Sequence, residues 1–177
     1  MTAESVSPDE PAPEVSPHAF RQAAGRFATG ITVVTTRTDG VDHAMTANAF
    51  TSVSLDPLLV LVCVEKITRF HEAVLDSKLW AVSVLGESGH QASVWFATRG
   101  RPLENQIGGF EYVRGEYTDA VIFTDALSSL ECRTHAVYDG GDHTIVVGEV
   151  LSVAQLRSDD GPLIYYAGDY RGLGDDG

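Results

Sequence analysis

The segment HAMTANAFTSVS (residues 43–54), followed closely by the apolar run LLVLVCV (58–64), decides the fold of this chain. The first segment is rich in small and hydroxyl-bearing residues and contains no glycine or proline, which is typical of an extended backbone open to a ligand. The second is too short for an ordinary helix and rich in valine and leucine, which predicts a buried strand. We therefore expect a polar pocket wall beside a core strand. The polar segment is equally consistent with a solvent-exposed sheet face.

Further strands, turns and brief helices follow along the chain. Strands are predicted at 31–36, 79–85, 129–138 and 143–153, with hairpin turns at 38–40 and 139–142. Helices are predicted after Thr68 and at 89–98, and residues 99–124 are expected to be irregular and to contain a surface loop. A closing segment, 162–173, ends the fold. Six or seven strands with only brief helices predict a mainly β fold with short α-helices, a decorated β-barrel.

The N-terminal region divides into a tail and a helix. Residues 1–17 carry four prolines and several acidic residues but almost no large apolar side chain, so we expect a disordered tail before a folded domain at 18–177. Ser16 and Pro17 predict a helix start, and Gly30 a stop. Apolar residues recur between them at helical spacing, so this helix is expected to cover one face of the core. They are Phe20, Ala23, Ala24 and Phe27.

Composition narrows the function. The 177-residue chain has a formal net charge of −13, which argues against nucleic-acid binding and polybasic membrane contact. No apolar run is long enough to span a membrane, and the N-terminus does not resemble a secretory signal. Cys63 and Cys132 form no metal-binding pattern, so no metal site is expected and Cys63 is interpreted as a small buried hydrophobe. A cytoplasmic enzyme or binding protein is the expectation.

One candidate site is Glu65-Lys66-Ile67-Thr68-Arg69, directly after the apolar strand. A helix start offers unpaired N–H groups and partial positive charge, which favour a phosphate. Lys66 and Arg69 add cations and Thr68 adds a hydroxyl donor. The segment thus predicts an anion site, although a solvated turn in which Glu65 pairs with one of the cations fits as well.

Two further candidates lie near the C-terminus. His143 follows a glycine-rich turn, a position in which a lone histidine is usually structural. Tyr165, Tyr166 and Tyr170, with Arg171, are able to stack on and bind a planar ligand, or simply to pack against the fold. The usual phosphate-loop, dinucleotide, zinc-protease and nucleophile-elbow motifs are absent from the sequence, so nucleotide binding would need another architecture.

Taken in order, five stretches resemble the short flavin reductase family, the reductase components of two-component flavin monooxygenases. They are GITVVTT (30–36), MTANAFTSVSLDP (45–57), LLVLVCV (58–64), GDHTI with GEV (141–145 and 148–150), and PLIYY with GDYR (162–166 and 168–171). The resemblance spans about Phe20 to Leu173. Ala49 stands where the family often has serine, and Ile67 where it usually has a small polar residue.

The resemblance implies a split β-barrel that binds flavin mononucleotide (FMN) at a homodimer interface. It also implies roles for particular residues. Those implied to line the flavin ring and ribityl chain are Thr46, Ala47, Asn48, Ala49 and Ser52. Those implied to hold the ribityl chain and phosphate are Cys63, Val64, Glu65, Lys66, Thr68 and Arg69. His143 would lie beside the nicotinamide, with Tyr170 near the same pocket and Arg171 as a further cofactor-binding residue.

The implied activity is hydride transfer from NADH, or NADPH, to FMN or FAD, with reduced flavin passing to a separate monooxygenase. The cofactors carry this chemistry, so no strong acid or base is needed. Two alternatives remain: a flavin-binding barrel that does not accept hydride from NADH, and a dimeric barrel that serves only as an interaction module. The interaction module does not explain why a cationic helix start stands in so acidic a chain.

Overall fold

The computed structural model describes residues 14–174, in which short helices decorate an extensive β-structure. The helices are α1 (Pro17–Ala24), α2 (Arg69–Ser77) and α3 (His90–Ala97), with a 3-10 turn at Glu87–Gly89. The first six strands are β1 (Thr29–Gly30), β2 (Thr32–Thr38), β3 (Val41–Ala47), β4 (Phe50–Leu55), β5 (Leu58–Glu65) and β6 (Leu79–Val84). The others are β7 (Tyr112–Arg114), β8 (Val121–Phe123), β9 (Ser128–Gly140), β10 (His143–Gln155), β11 (Ile164–Tyr166) and β12 (Asp169–Arg171).

The central feature is a seven-stranded antiparallel sheet in the order β3-β2-β6-β9-β10-β5-β4. Its two edge strands, β3 and β4, are consecutive in the chain and are joined by only Asn48 and Ala49. Two residues cannot bridge the width of a flat seven-stranded sheet, in which neighbouring strands lie about 4.8 Å apart. The sheet therefore curls so that its edges come together at this link. The backbone N–H of Cys63 donates to the carbonyl of Ala49 at 3.0 Å, which extends the β4–β5 pairing up to the link. The predicted mainly β barrel with short helices is confirmed.

The polar segment at 43–54 is two strands rather than one. β3 ends at Ala47 and β4 begins at Phe50, on opposite edges of the sheet. The buried strand expected at 58–64 is a strand, but only one of its faces is buried. Val60, Val62 and Val64 are buried, whereas the alternate side chains of β5 are only partly covered and Leu58 is 51% exposed. Strand periodicity turns every second side chain of β5 away from the barrel interior.

The barrel interior holds the main core. Trp80 is completely buried there among valines of the surrounding strands. Helix α2 closes one end because Phe70, Ala73 and Val74 face the core, which confirms the helix predicted after Thr68. A second core of aromatic and aliphatic side chains lies beneath α3 and includes Phe96 and Phe123.

Helix α1 does not cover the core as expected. It ends at Ala24, before Gly30, and none of its residues is buried. Phe20 is 65% and Phe27 is 77% exposed. The apolar spacing marked one face of a helix correctly, but spacing cannot identify what covers that face. Residues 1–13 of the predicted tail lie outside the described range.

The predicted loop at 99–124 contains regular structure. β7 and β8 form a small antiparallel hairpin within it. The closing segment contributes β11 and β12, which join β1 in a three-stranded sheet beside the barrel. Both additions contain strands of two or three residues, too short for periodicity to reveal. Within 14–174 there is no helix with the length and apolar character needed to cross a membrane.

The close contact between β10 and Trp80 makes a stability prediction. A Cβ atom added at Gly148 would lie 2.3 Å from Cζ2 of Trp80 and 3.1 Å from Cβ of Cys132. Because Trp80 is fully buried and has no room to move, Gly148→Ala should lower the free energy of unfolding by about 1–3 kcal/mol. Urea denaturation measures this loss. The matched control is Gly30→Ala, whose added Cβ meets no atom within 4 Å, and an equal loss in both variants would contradict the prediction.

Candidate functional site

A cavity of about 540 Å³ opens where the two edges of the barrel meet. Its walls are β3, the Asn48-Ala49 link, the start of α2 and the segment that follows α3. A volume of this size is typical of small-molecule and cofactor sites. Nine residues proposed from the sequence line it: Thr46, Ala47, Asn48, Ala49, Cys63, Glu65, Thr68, Arg69 and His143. The barrel closure thus gathers residues from four separate parts of the chain.

The start of α2 points at this cavity. Buried Phe70 and Val74 fix the helix against the core, which leaves Thr68 as the N-cap and Arg69 as the first helical residue on the cavity wall. The Thr68 hydroxyl donates to the carbonyl of Glu65 at 2.8 Å instead of capping the helix. The first N–H groups of the helix therefore lack a side-chain cap, which suits an anion at this position.

Arg69 is a cation of the cavity wall that remains available to a ligand. Its guanidinium donates to the carbonyl of Arg101 at 2.6 Å, and among residues 14–174 it makes no ion pair with a carboxylate. Glu65 instead pairs with Arg99, which donates to both carboxylate oxygens at 2.8 and 2.7 Å. The alternative in which Glu65 neutralises Lys66 or Arg69 is therefore not what the structure contains.

A third guanidinium, that of Arg101, organises the cavity wall. It donates to the carbonyls of Phe96 and Thr98 at 2.9 Å and to the carbonyl of Ala44, and it lies over the Phe96 ring. Burial and the neighbouring Arg69 charge lower the pKa of Arg101. This side chain joins the segment after α3 to β3 and contributes positive charge to the wall.

His143 reaches the cavity from the turn between β9 and β10. Its Nδ1 lies 2.7 Å from Oδ1 of Asp142, and this contact lowers the pKa of the Asp142 carboxyl. Lys66 fastens the same turn: its ammonium group contacts Asp139 and donates to the carbonyl of Gly141 at 2.5 Å. Its backbone N–H also donates to the carbonyl of Asp142 at 3.0 Å. These contacts fix His143 opposite the start of α2.

Comparison with known proteins accounts for this arrangement. The family model described as a flavin reductase like domain matches residues 24–174, nearly all of the chain. The chain belongs to the flavin reductase family. The resemblance carried by the five stretches of sequence is confirmed, and so is the split-barrel fold of that family.

Individual relatives are similar over most of their length. An NADH-dependent flavin reductase of a Rhodococcus species is 41% identical over 166 residues, which cover 91% of this chain and 89% of the relative. The reductase component of 4-hydroxyphenylacetate 3-monooxygenase from Thermus thermophilus is 39% identical, covering 88% and 95%. The NADH:FAD oxidoreductase of Streptomyces globisporus, solved with NAD and FAD fragments, superposes with a TM-score of 0.85 at 36% identity, covering 93% and 99%.

In this flavin reductase family member, five residues named from the resemblance do not line the cavity: Ser52, Val64, Lys66, Tyr170 and Arg171. Val64 is completely buried in the barrel core, and Ser52 is an exposed residue of β4. Lys66 is engaged by the β9–β10 turn, as described above. Tyr170 and Arg171 lie on β12, in the small sheet beside the barrel.

Sequence reasoning missed the cavity wall formed by residues 96–106 and by His43. The motif Arg99-Gly100-Arg101 was an available signal, because two of the 12 lysines and arginines of an acidic chain stand within three residues. His43 offered no such signal. His43 lines the cavity because β3 places it there, near Arg69.

His43 provides a pH prediction. Burial first, and then the Arg69 charge, lower its pKa from the ordinary value of 6.5, against a smaller opposing effect of Asp42. As the pH falls below 6.5, the unfolded chain binds this proton before the folded protein does, so His43 then lowers the stability of the fold. Arg69→Gln should move the His43 pKa upward, toward 6.5, as measured by NMR titration of the imidazole ring. Arg157→Gln, at a position that does not line the cavity, is the control, and an unchanged His43 pKa in Arg69→Gln would contradict the assignment.

Proposed function

We propose that this protein is a flavin reductase that transfers hydride from NADH to FMN or FAD and supplies reduced flavin to a partner monooxygenase. The observation that carries the proposal is the cavity in which a small-residue polar wall, a cationic helix start and His143 converge. Relatives named as NADH-dependent flavin reductases and as monooxygenase reductase components support both halves of the proposal.

The cavity suits a flavin phosphate ester. The N–H groups at the start of α2, the Thr68 hydroxyl and the Arg69 guanidinium would hold the phosphate, because each donates to anionic oxygen. Ala47 and Ala49 leave space for a planar ring system beside the β3–β4 link. Thr46 is less available, because its hydroxyl already donates to the carbonyl of Ser93 at 2.7 Å.

The protein's part in the reaction is to position and enclose the reactants. Hydride transfer from nicotinamide to flavin is the chemistry that the bound cofactors supply. His143 would orient the nicotinamide amide. Its position is fixed by the contact with Asp142 and by the β9–β10 turn, which Lys66 stabilises. The apolar wall of the cavity, which includes the buried Phe70, would exclude water from the reacting atoms.

The functional unit is a homodimer formed on the outer face of the barrel beside the cavity. Leu59, Leu61 and Cys63 project from β5 on the side away from the core and are only partly covered within one chain. The neighbouring edge strand, β4, exposes Val53 at 49% and Leu55 at 86%. An apolar edge strand left open invites pairing, and Cys63 belongs both to this face and to the cavity lining. A second chain would therefore cover one side of the cavity.

NADH is the preferred reductant. The protein acts in the cytoplasm, which supplies reduced nicotinamide nucleotides. Cys63 and Cys132 are both free thiols in the structure, as expected of a protein from a reducing compartment. Burial raises the pKa of Cys132 to about 12, so this thiol remains protonated and inert in the barrel core.

One experiment tests the activity directly. Purified protein is mixed with NADH and either FMN or FAD, and NADH absorbance is followed. Rapid, flavin-dependent oxidation of NADH supports the reductase. Flavin that remains bound without NADH oxidation supports the flavin-binding barrel instead, and neither binding nor turnover supports the interaction module. Size-exclusion chromatography with light scattering determines the oligomeric state of the same sample.

Removing the ligand-facing cation should weaken phosphate binding selectively. Arg69→Gln should raise the dissociation constant for FMN by about tenfold or more, because a charge-assisted hydrogen bond contributes roughly 1.5–3 kcal/mol. Riboflavin, which lacks the phosphate, should bind the variant and the parent equally. Fluorescence titration of each flavin measures the difference, with Arg157→Gln as the matched control. Equal weakening of riboflavin and FMN would show that Arg69 does not contact the phosphate.

His143 should act on nicotinamide binding more than on chemistry. His143→Ala should raise the apparent KM for NADH by up to about tenfold, the loss of one hydrogen bond, and slow hydride transfer less. Steady-state and stopped-flow kinetics separate the two effects. His18→Ala, on the exposed helix α1, is the control. A large decrease in the hydride-transfer rate at unchanged KM would overturn the positioning role.

A further inference from the structure

A second cavity, of about 560 Å³, lies on the outer side of α3. Aromatic side chains from three positions line it: His90 and Trp95 on α3, and Phe110 on the facing segment. Gln91 and Asn105 stand at its rim. None of the motifs interpreted above accounts for this cavity.

We propose that this second cavity binds the adenosine moiety of a dinucleotide whose reactive ring occupies the first cavity, an inference that rests on the proposed flavin reductase function. FAD and NADH both carry an adenosine diphosphate half, and FMN does not. The shared chemistry is therefore a purine ring joined through a ribose to a diphosphate.

The aromatic walls are built to hold a flat ring. The Trp95 indole N–H donates to the carbonyl of Gln106 at 2.9 Å, which fixes the indole plane while 37% of the residue remains exposed. His90 rests edge-on against Tyr170 at 4.6 Å, and the Tyr170 hydroxyl accepts from Ser93 at 2.9 Å. Preformed aromatic surfaces stack on purines with little loss of side-chain entropy. Tyr170, which the resemblance implies is near the nicotinamide pocket, also supports this wall.

The rim offers the polar groups that a purine edge needs. Adenine presents a donor and acceptors along its edges, and a carboxamide can pair with both kinds of group. Within residues 14–174 the side-chain amides of Gln91 and Asn105 form no hydrogen bond with protein. By contrast, the Gln106 amide donates to the carbonyl of Asp42 at 2.7 Å and accepts from Arg101, so it is structural.

The two cavities adjoin at a cationic segment. Thr98 and Gln106 line both of them, and Arg99 and Arg101 lie on the segment between these two residues. The Arg99 side chain is 74% exposed, and its ion pair with Glu65 is of the exposed kind that contributes little stability. A diphosphate that crosses from one cavity to the other would pass Arg99, which can exchange Glu65 for phosphate oxygen.

Binding of ADP to the protein alone tests the site without flavin or turnover. Isothermal titration should show saturable ADP binding that Trp95→Ala weakens at least about fivefold, the loss expected for one stacked base. Trp95→Phe should retain most of the affinity. Gln91→Ala, an exposed change that leaves the packing intact, should weaken ADP binding about two- to fivefold through one lost hydrogen bond. Tyr117→Ala removes an exposed aromatic side chain outside the cavity and is the control.

Tryptophan fluorescence emission measures ADP binding independently. The chain has two tryptophans, and Trp80 is completely buried, so a change on ADP addition reports Trp95. Absence of ADP binding, or equal affinity in the parent, Trp95→Ala and Gln91→Ala, would overturn the proposal. Flavin-dependent NADH oxidation with no ADP response would refute this site and leave the reductase standing. ADP binding at Trp95 without NADH oxidation would refute the reductase and leave this site standing.

Kinetics distinguish the two sources of the adenosine. If FAD supplies it, Trp95→Ala should raise the KM for FAD several-fold more than the KM for FMN. If NADH supplies it, the same variant should raise the KM for NADH with either flavin and leave the KM for reduced nicotinamide mononucleotide unchanged. Either pattern supports the site, and equal changes for all four substrates would overturn it.

Discussion

Everything in this molecule depends on the two-residue link between β3 and β4. Because Asn48 and Ala49 join the opposite edges of one seven-stranded sheet, the sheet must curl so that these edges come together at the link. The hydrogen bond from the Cys63 N–H to the Ala49 carbonyl extends the β4–β5 pairing up to this link, where the two edges form a seam. Short side chains at the seam leave a gap in the barrel wall, and the start of α2 faces this gap. The cavity is thus a direct consequence of how the barrel closes.

Charge in this acidic chain is distributed so that the cavity remains cationic. The carboxylates near its mouth are each engaged by another group: Asp139 by Lys66, and Glu65 by Arg99. Contact with the Lys66 ammonium group lowers the pKa of Asp139, so this carboxylate stays ionised and the turn stays fastened. Arg69 is thereby left to a ligand. In a chain of net charge −13, a positive site depends on such local pairing and not on overall composition.

Sequence reasoning predicted what is local and missed what is assembled. The N-cap at Thr68 and the apolar face that follows it are short-range signals, and the structure contains both. The partner of Lys66, Asp139, lies 73 residues away along the chain. No local pattern therefore distinguished a lysine that binds phosphate from a lysine that stabilises a distant turn. The arginines at 99 and 101 reach the cavity only because α3 packs beside β3. Helix α1 shows the reverse error, since its apolar face was recognised but none of its residues is buried within the described chain.

The roles of Lys66 and Arg69 show how one short segment serves two parts of the site. Both cations follow β5 within four residues, yet Lys66 turns toward the β9–β10 hairpin and Arg69 toward the cavity. The first sets the position of His143, because the turn that Lys66 holds ends at that residue. The second sets the charge at the helix start. The cationic helix start and His143 are therefore coupled through the backbone of residues 65–69, so a shift at either end changes the distance between the two.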